Sequence, residues 1–210
     1  MDRYLRLRIS ALAKGHPPCS TAGGTPAGFQ FSAKASRFIT HIKRLREVGF
    51  ELALFLERAD RLGPKLGPIL FQLPPTQPVK LTRLGDFLAL LPSLRRWVVE
   101  FRHPSWHTGE VYQLLTDHGV ALGIPVGGGV NPDRVTTAPF TYIRMHRGQG
   151  PGGGFTRKEL SAWAGQIRGL RSAGKDAYVY FNNDWEGYAV RDAGILQGLL
   201  GRPTSSPPIG

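Results

Sequence analysis

Apolar and polar residues recur at regular spacings along most of the chain, from Phe29 to Gly201. Alternating or short apolar segments predict six β-strands, over residues 29–35, 68–73, 96–101, 120–124, 140–145 and 176–181. Between them, apolar residues at helical spacing predict five helices, over residues 45–62, 81–91, 110–118, 156–173 and 188–200. Thr156 and Glu159 have the spacing of a capping box at the start of the fourth helix, and Gly174 is placed to end it.

Strands and helices alternate in this prediction, and most connections are long enough to hold a helix. Such a pattern indicates an α/β fold, in which helices cover a mainly parallel sheet. It fits a doubly wound sheet or a β/α barrel of the TIM type. Six strands are two fewer than the eight of a closed barrel, so a barrel here would be incomplete.

The composition divides the chain into three parts. Residues 1–27 are rich in Arg, Gly, Pro and Thr and keep neither a helical nor a strand-like spacing of apolar residues for long. They are therefore predicted to form an atypical, disordered leader. Residues 28–203 hold all the predicted elements and form the barrel-like domain. Residues 204–210 are predicted to be a flexible tail.

The overall composition narrows the class of protein. The 210 residues suffice for one domain, and 41% of them are hydrophobic, so the chain can bury a core. The 27 basic and 15 acidic residues give a net charge of 27 − 15 = +12, which favours anionic partners. Cys19 is the only cysteine, which excludes an internal disulfide framework. No apolar run reaches the roughly 18 residues of a membrane span, so we expect a cytoplasmic protein without a membrane partner.

Polar side chains concentrate where the predicted strands end. Residues two apart on a strand share a face, and the carboxyl ends of parallel strands are where α/β enzymes bind their substrates. The candidate residues are Lys34 in the first strand, Gln72 in the second, Glu100, Arg102 and His103 in the third, Arg144 and His146 in the fifth, and Asn182, Asn183 and Asp184 in the sixth.

Each candidate also has a structural interpretation. Glu100 and Arg102 could form an ion pair that closes one end of the barrel. His103 precedes Pro104, so its imidazole could stabilise a packed turn through a bond to a backbone carbonyl. Lys34 begins a run of basic residues that could be a solvated surface, and the Asn-Asn-Asp sequence at 182–184 could be ordinary turn chemistry.

Several segments resemble signature stretches of the DUF72 family. They are Val99-Glu100-Phe101-Arg102-His103-Pro104-Ser105-Trp106, Tyr178-Val179-Tyr180-Phe181-Asn182-Asn183-Asp184, the stretches 32–41 and 67–75, and Tyr142-Ile143-Arg144-Met145-His146. The resemblance runs from about Gly28 to Gly201 and implies a TIM-type β/α barrel. It implies no particular activity, because none is established for the family.

The start of the chain departs from the family pattern. Family members begin with a strand carrying Gly-Thr-Ser-Gly-Trp, followed by a strand containing Glu-x-Asn-Ser-Thr-Phe-Tyr, and neither motif occurs here. The resemblance therefore implies that the first two barrel strands are missing, through a truncation, a wrong start site or a frameshift. Open sheet edges would then favour self-association.

The leading hypothesis is an enzyme, a hydrolase, isomerase or lyase, acting on a small anionic polar substrate. Glu100, His146 and Asp184 would be catalytic acids and bases. The side chains predicted to bind the substrate are Lys34, Gln72, Arg102, His103, Arg144, Asn182 and Asn183. No ligand motif predicts a metal site, and the sequence names no cofactor. Glu100, His103, His146 and Asp184 are suitable ligand types, so a metal stays a minority alternative. The alternatives are a nucleic-acid-binding protein that uses its basic surface, and a truncated, inactive barrel.

Overall fold

The computed structural model describes residues 24–25, 28–127 and 134–201. These residues contain six strands and five α-helices. The strands are β1 (Phe31–Lys34), β2 (Leu66–Gln72), β3 (Trp97–Glu100), β4 (Ala121–Val126), β5 (Phe140–Met145) and β6 (Asp176–Phe181). The helices are α1 (Gly49–Asp60), α2 (Leu81–Ala89), α3 (Gly109–Asp117), α4 (Arg157–Ser172) and α5 (Tyr188–Leu199).

All six strands belong to one sheet, in which they follow the order β1 to β6. The pairs β1–β2, β2–β3 and β3–β4 are parallel, and helices occupy most of the connections. This is an α/β fold of the kind expected for an incomplete TIM-type barrel, as the alternation of elements in the sequence predicts. Of the predicted leader 1–27 only Gly24 and Thr25 are described, and the predicted tail 204–210 lies outside the described residues.

Residue contacts divide the described chain into two compact units. The first unit comprises residues 24–25, 28–124 and 134–142, and the second comprises residues 125–127 and 143–201. In the first unit, apolar side chains of β2, β3 and β4 pack with the inner faces of α1, α2 and α3. Phe71 is central to this core, with its ring centroid 4.8 Å from that of Phe87 and 5.9 Å from that of Trp97.

The second unit has its own core, formed where α4 and α5 meet β6. Trp163 and Ile167 of α4 and Leu196 of α5 are buried, and Phe155 packs edge-on against Phe181 with 5.9 Å between ring centroids. Backbone hydrogen bonds join the end of β5 to the ends of its two neighbours. His146 N, directly after β5, donates to Val126 O at the end of β4, and Asn182 N, directly after β6, donates to Met145 O of β5, each over 2.8 Å.

The first helix starts later than the sequence predicts, at Gly49 instead of residue 45. The reason is the backbone before it, where Arg44, Leu45 and Glu47 adopt positive φ angles of 52°, 67° and 50°. A helix cannot pass through left-handed residues. A π-helical turn over Phe38–Ile42, which the periodicity does not predict, precedes this segment.

No helix within the described ranges is long and apolar enough to cross a membrane.

Candidate functional site

Three neighbouring strands of the first unit end in polar side chains that lie side by side. At the end of β1, Lys34 Nζ donates to Gln72 Oε1 over 2.8 Å. Gln72 ends β2 and lies opposite Glu100 of β3 in the strand register. Arg102 Nε donates to Glu100 Oε1 over 2.7 Å, which confirms that these two residues share a face. We call Lys34, Gln72, Glu100 and Arg102 the strand-end group.

The ion pair in this group is buried. The Glu100 side chain has 0% of its surface exposed and the Arg102 side chain 15%. On β4, Gly123 makes room for the first part of the Glu100 side chain, because a Cβ atom there would lie only 3.0 Å from the Cβ of Glu100. A charge so deeply buried is tolerated when an opposite charge and hydrogen bonds accompany it. The ion pair considered as a structural alternative for these residues therefore does form.

Electrostatics around Lys34 also affect a neighbouring histidine. Burial lowers the pKa of His41, and the positive charges of Arg37 and Lys34 lower it further. The imidazole Nδ1 lies 2.8 Å from the Thr40 hydroxyl. The loop after β1 therefore places positive charge close to His41.

His103 has a local structural role. Its Nδ1 accepts a hydrogen bond from Ser105 N over 3.2 Å and lies 2.8 Å from Ser105 Oγ, so it caps the short turn over Pro104–Trp106. Ser105 Oγ in turn accepts from Val79 N over 2.9 Å. The predicted turn is present, although the imidazole bonds a backbone N–H rather than a carbonyl.

In the second unit, β5 and β6 place Arg144 beside Asn182. Arg144 Nε donates to Asn182 Oδ1 over 3.3 Å, and Arg144 is only 4% exposed. His146 follows β5 and is half-buried, with its backbone N–H bonded to Val126 O. The two residues thus stand at the carboxyl end of β5, as the sequence predicts.

Asn183 and Asp184 differ sharply in their surroundings. Asn183 is buried, and its Nδ2 donates to Asp192 Oδ2 over 2.8 Å and to Gly153 O over 3.5 Å. Asp184 is exposed, and its side chain makes no hydrogen bond or ion pair with the described residues. Asn183 therefore connects β6 to α5 and to the glycine-rich loop, whereas Asp184 is open to solvent.

Asp192 is a buried acidic residue that the sequence analysis missed. Its carboxylate is fully buried, accepts from Phe155 N over 2.8 Å and lies 3.1 Å from Arg191 Nη2. A signal was available, because Asp192 lies at helical spacing with Ala189 and Leu196 on the buried face of α5. Gly123 was also missed, although a lone glycine inside a strand often marks a close approach.

The described residues bring no three His, Cys, Asp or Glu side chains together in a group that could hold a metal ion. Glu100 and His103, which are suitable ligand types, are instead engaged by Arg102 and Ser105. The strand-end group combines a carboxylate that can transfer protons, an amide that can form hydrogen bonds, and two cations that can bind oxygen anions.

Comparisons with known proteins show which proteins the chain resembles in structure and in sequence. Two solved structures with this fold are DUF72 family proteins. The one from Thermotoga maritima has a TM-score of 0.80 at 23% identity, with 90% of this chain and 82% of that chain covered. The one from Enterococcus faecalis V583 has a TM-score of 0.78 at 19% identity, with 92% and 84% covered. These likenesses show the fold alone.

A comparison with curated proteins gives no match. The family model described as "Protein of unknown function DUF72" matches residues 21–209, and thus begins inside the segment 1–27 that the sequence analysis set apart from the family. That match covers most of the chain and includes every residue of the strand-end group. The chain belongs to the DUF72 family.

Proposed function

We propose that this protein is an enzyme that acts on a small, polar, anionic substrate at the carboxyl ends of its strands. The observation that carries the proposal is the buried Glu100–Arg102 pair at the end of β3, beside Gln72 and its partner Lys34. Buried charges are costly, and apolar side chains of similar volume would stabilise the fold equally well. Charged groups buried at this edge of a parallel sheet are therefore typical of a binding or catalytic role.

The residues of the strand-end group take different roles in this proposal. Lys34 is exposed and able to reach a phosphate or carboxylate oxygen, and Arg102 contributes a second positive charge. Gln72 orients a hydroxyl or carbonyl of the substrate. Glu100 is the general acid or base, held in one orientation by Arg102.

We propose roles also for residues at the ends of β5 and β6, which belong to the second unit and are described by themselves. Arg144 would bind an anionic group, with Asn182 orienting its guanidinium. His146 and the exposed Asp184 would transfer protons, and Asn183 would hold the loop backbone in place through Asp192. A cytoplasmic location fits these roles, because the only cysteine is Cys19 and small phosphorylated metabolites are plentiful there.

The test begins with a substrate screen on the full chain. Sugar phosphates, nucleotides and small carboxylates are incubated with the protein, and conversion is followed by NMR. With a converted substrate in hand, Glu100→Gln is expected to lower kcat by at least about 100-fold with little change in KM, because proton transfer is lost. Lys34→Ala is expected mainly to raise KM. Lys158→Ala, on the exposed surface of α4, is the matched control.

Full turnover by Glu100→Gln would overturn the proposal. Binding of oligonucleotides with steep salt dependence, and conversion of no small anion, would instead favour the nucleic-acid alternative. No binding and no conversion by a folded chain would favour an inactive barrel.

A further inference from the structure

A cavity lies in the first unit between the loop after β1 and the first turn of α2. Its volume is ≈ 760 Å³, within the range of small-molecule sites. It is lined by residues 45–47 and 80–83 and by Asp86, Phe87 and Leu90 of α2. None of the strand-end group lines it. The cavity is therefore a separate candidate site.

Three cations line this cavity: Arg46, Lys80 and Arg83. Their side chains make no hydrogen bond or ion pair with any part of the chain that the structure describes. Other cations of the same unit are paired, among them Lys43 with Glu51 and Arg95 with Asp60. The positive charge at the cavity is thus left for a ligand to neutralise.

Two acidic residues, Glu47 and Asp86, also line the cavity, but neither forms an ion pair with the described cations. The lining alone therefore carries 3 − 2 = +1. The loop before it adds Arg37 and Arg44, which are exposed and equally unpaired within the described ranges. Near this loop, burial lowers the pKa of His41, and the positive charges of Arg37 and Lys34 lower it further.

The loop that holds Arg46 is fixed in an uncommon conformation. Arg46 stands between Leu45 and Glu47, both with positive φ. Non-glycine residues adopt this backbone at a cost, and it persists where the surroundings enforce it, often at ligand sites. Here the surroundings are specific: Leu45 N donates to Ile39 O over 3.0 Å, and Gln77 Nε2 donates to Arg44 O over 3.4 Å.

The cavity also has an apolar part, formed by the exposed Leu81 and Leu90 above the buried Leu45 and Phe87. We propose that it binds a small phosphate monoester with an apolar or aromatic organic part. The phosphate would be held by Arg46, Lys80 and Arg83, because guanidinium groups bind phosphate oxygens in pairs and ammonium groups attract them as point charges. The hydroxyl of Thr82 would add a hydrogen bond to the phosphate, and the organic part of the ligand would pack against the exposed side chains of Leu81 and Leu90.

The experiment uses the full chain and phenyl phosphate as the probe, with binding followed by two-dimensional NMR and calorimetry at constant ionic strength. The expected result is saturable binding, with the largest amide shifts at residues 45–47 and 80–83. Inorganic phosphate is expected to bind more weakly, because it lacks the apolar contact. The double variant Arg46→Gln/Arg83→Gln is expected to weaken binding at least about tenfold.

The matched control is Arg157→Gln/Lys158→Gln, which removes the same number of positive charges from the exposed surface of α4 and is expected to bind like the unchanged protein. Equal weakening in both double variants would overturn the proposal, since the probe would then respond only to net charge. Shifts confined to Lys34, Gln72, Glu100 and Arg102 would overturn it too, because the probe would occupy the proposed active site. Oligothymidylate binding that depends on Arg46 and Arg83 and far exceeds that of phenyl phosphate would assign the surface to nucleic acid instead.

Discussion

Two buried threonines of the first unit differ in whether their hydroxyls are used. Thr137 Oγ1 accepts from Leu122 N over 2.9 Å and donates to Val120 O over 2.6 Å, so it ties the segment before β5 to the start of β4. Thr141 Oγ1 is equally buried but has no hydrogen-bond partner among the described residues.

We expect Thr137→Val to lower the free energy of unfolding by about 1–3 kcal/mol, because two buried backbone groups lose their partner. Thr141→Val should be neutral or slightly stabilising, because it removes an unsatisfied hydroxyl. Urea denaturation of both variants measures the difference. Equal losses in the two variants would show that the hydrogen bonds of Thr137 contribute little.

His41 is the residue from which a pH dependence is expected. Its pKa is lowered in the folded chain by burial and by Arg37 and Lys34, so the unfolded chain binds its proton at a higher pH. Above the unfolded pKa both states are neutral and His41 has no effect. As the pH falls through about 6.5, the unfolded state is protonated first and stability is lost.

The variant His41→Gln should therefore lose less stability than the unchanged protein between about pH 7.5 and about pH 5.5. Glu51, whose pKa is lowered mainly by its hydrogen bond from Lys43, affects stability only at lower pH and does not disturb this window. Urea denaturation at the two pH values provides the comparison. Identical pH dependence in both proteins would contradict the expected role of His41.

At the residue scale, the sequence predicts the strand-end residues better than their partners. The spacing of two between Glu100 and Arg102 predicts a shared face, and the pair forms. The partner of Asn183 could not be found in the same way, because Asp192 is 9 residues further on, in a helix. Such a contact depends on how α5 packs against β6, and the spacing of residues within one helix or strand does not predict that packing.

At the scale of elements, the two threonine N-caps offer a direct comparison. Thr156 forms a complete capping box with Glu159 at the start of α4, and Glu159 Oε2 accepts from Thr156 N over 2.8 Å. Thr108 caps α3 through a single, longer bond of 3.4 Å from Val111 N.

We expect Thr156→Ala to cost about 1 kcal/mol of unfolding free energy and Thr108→Ala to cost less, because the reciprocal bond is present only in α4. Lys158→Ala, in the first turn of α4, controls for the loss of a surface side chain. Chemical denaturation of the three variants gives the order. A larger loss for Thr108→Ala would contradict the ranking.

The sequence predicts where an element begins or ends when the residues that determine this limit lie at the limit itself. Strands β5 and β6 have the predicted limits, and Gly174, with a φ of 74°, ends α4 as expected from its freedom to adopt left-handed backbone. The segment 38–48 could not be predicted, because Arg44, Leu45 and Glu47 have side chains that disfavour the conformation they adopt. Tertiary hydrogen bonds from Gln77 and to Ile39 hold that loop.

At the scale of the whole molecule, the net charge of +12 should make stability depend on salt. Like charges repel more in the compact state, and raising the salt from about 0.01 M to about 0.1 M shortens the Debye length from about 30 Å to about 10 Å. Tm is therefore expected to rise with sodium chloride over this range. The variant Arg157→Glu/Lys158→Glu lowers the net charge by four, from +12 to +8, and should show a shallower rise. A Tm that falls with salt in both proteins would mean that attractive ion pairs, such as Lys43–Glu51 and Arg95–Asp60, outweigh the repulsion.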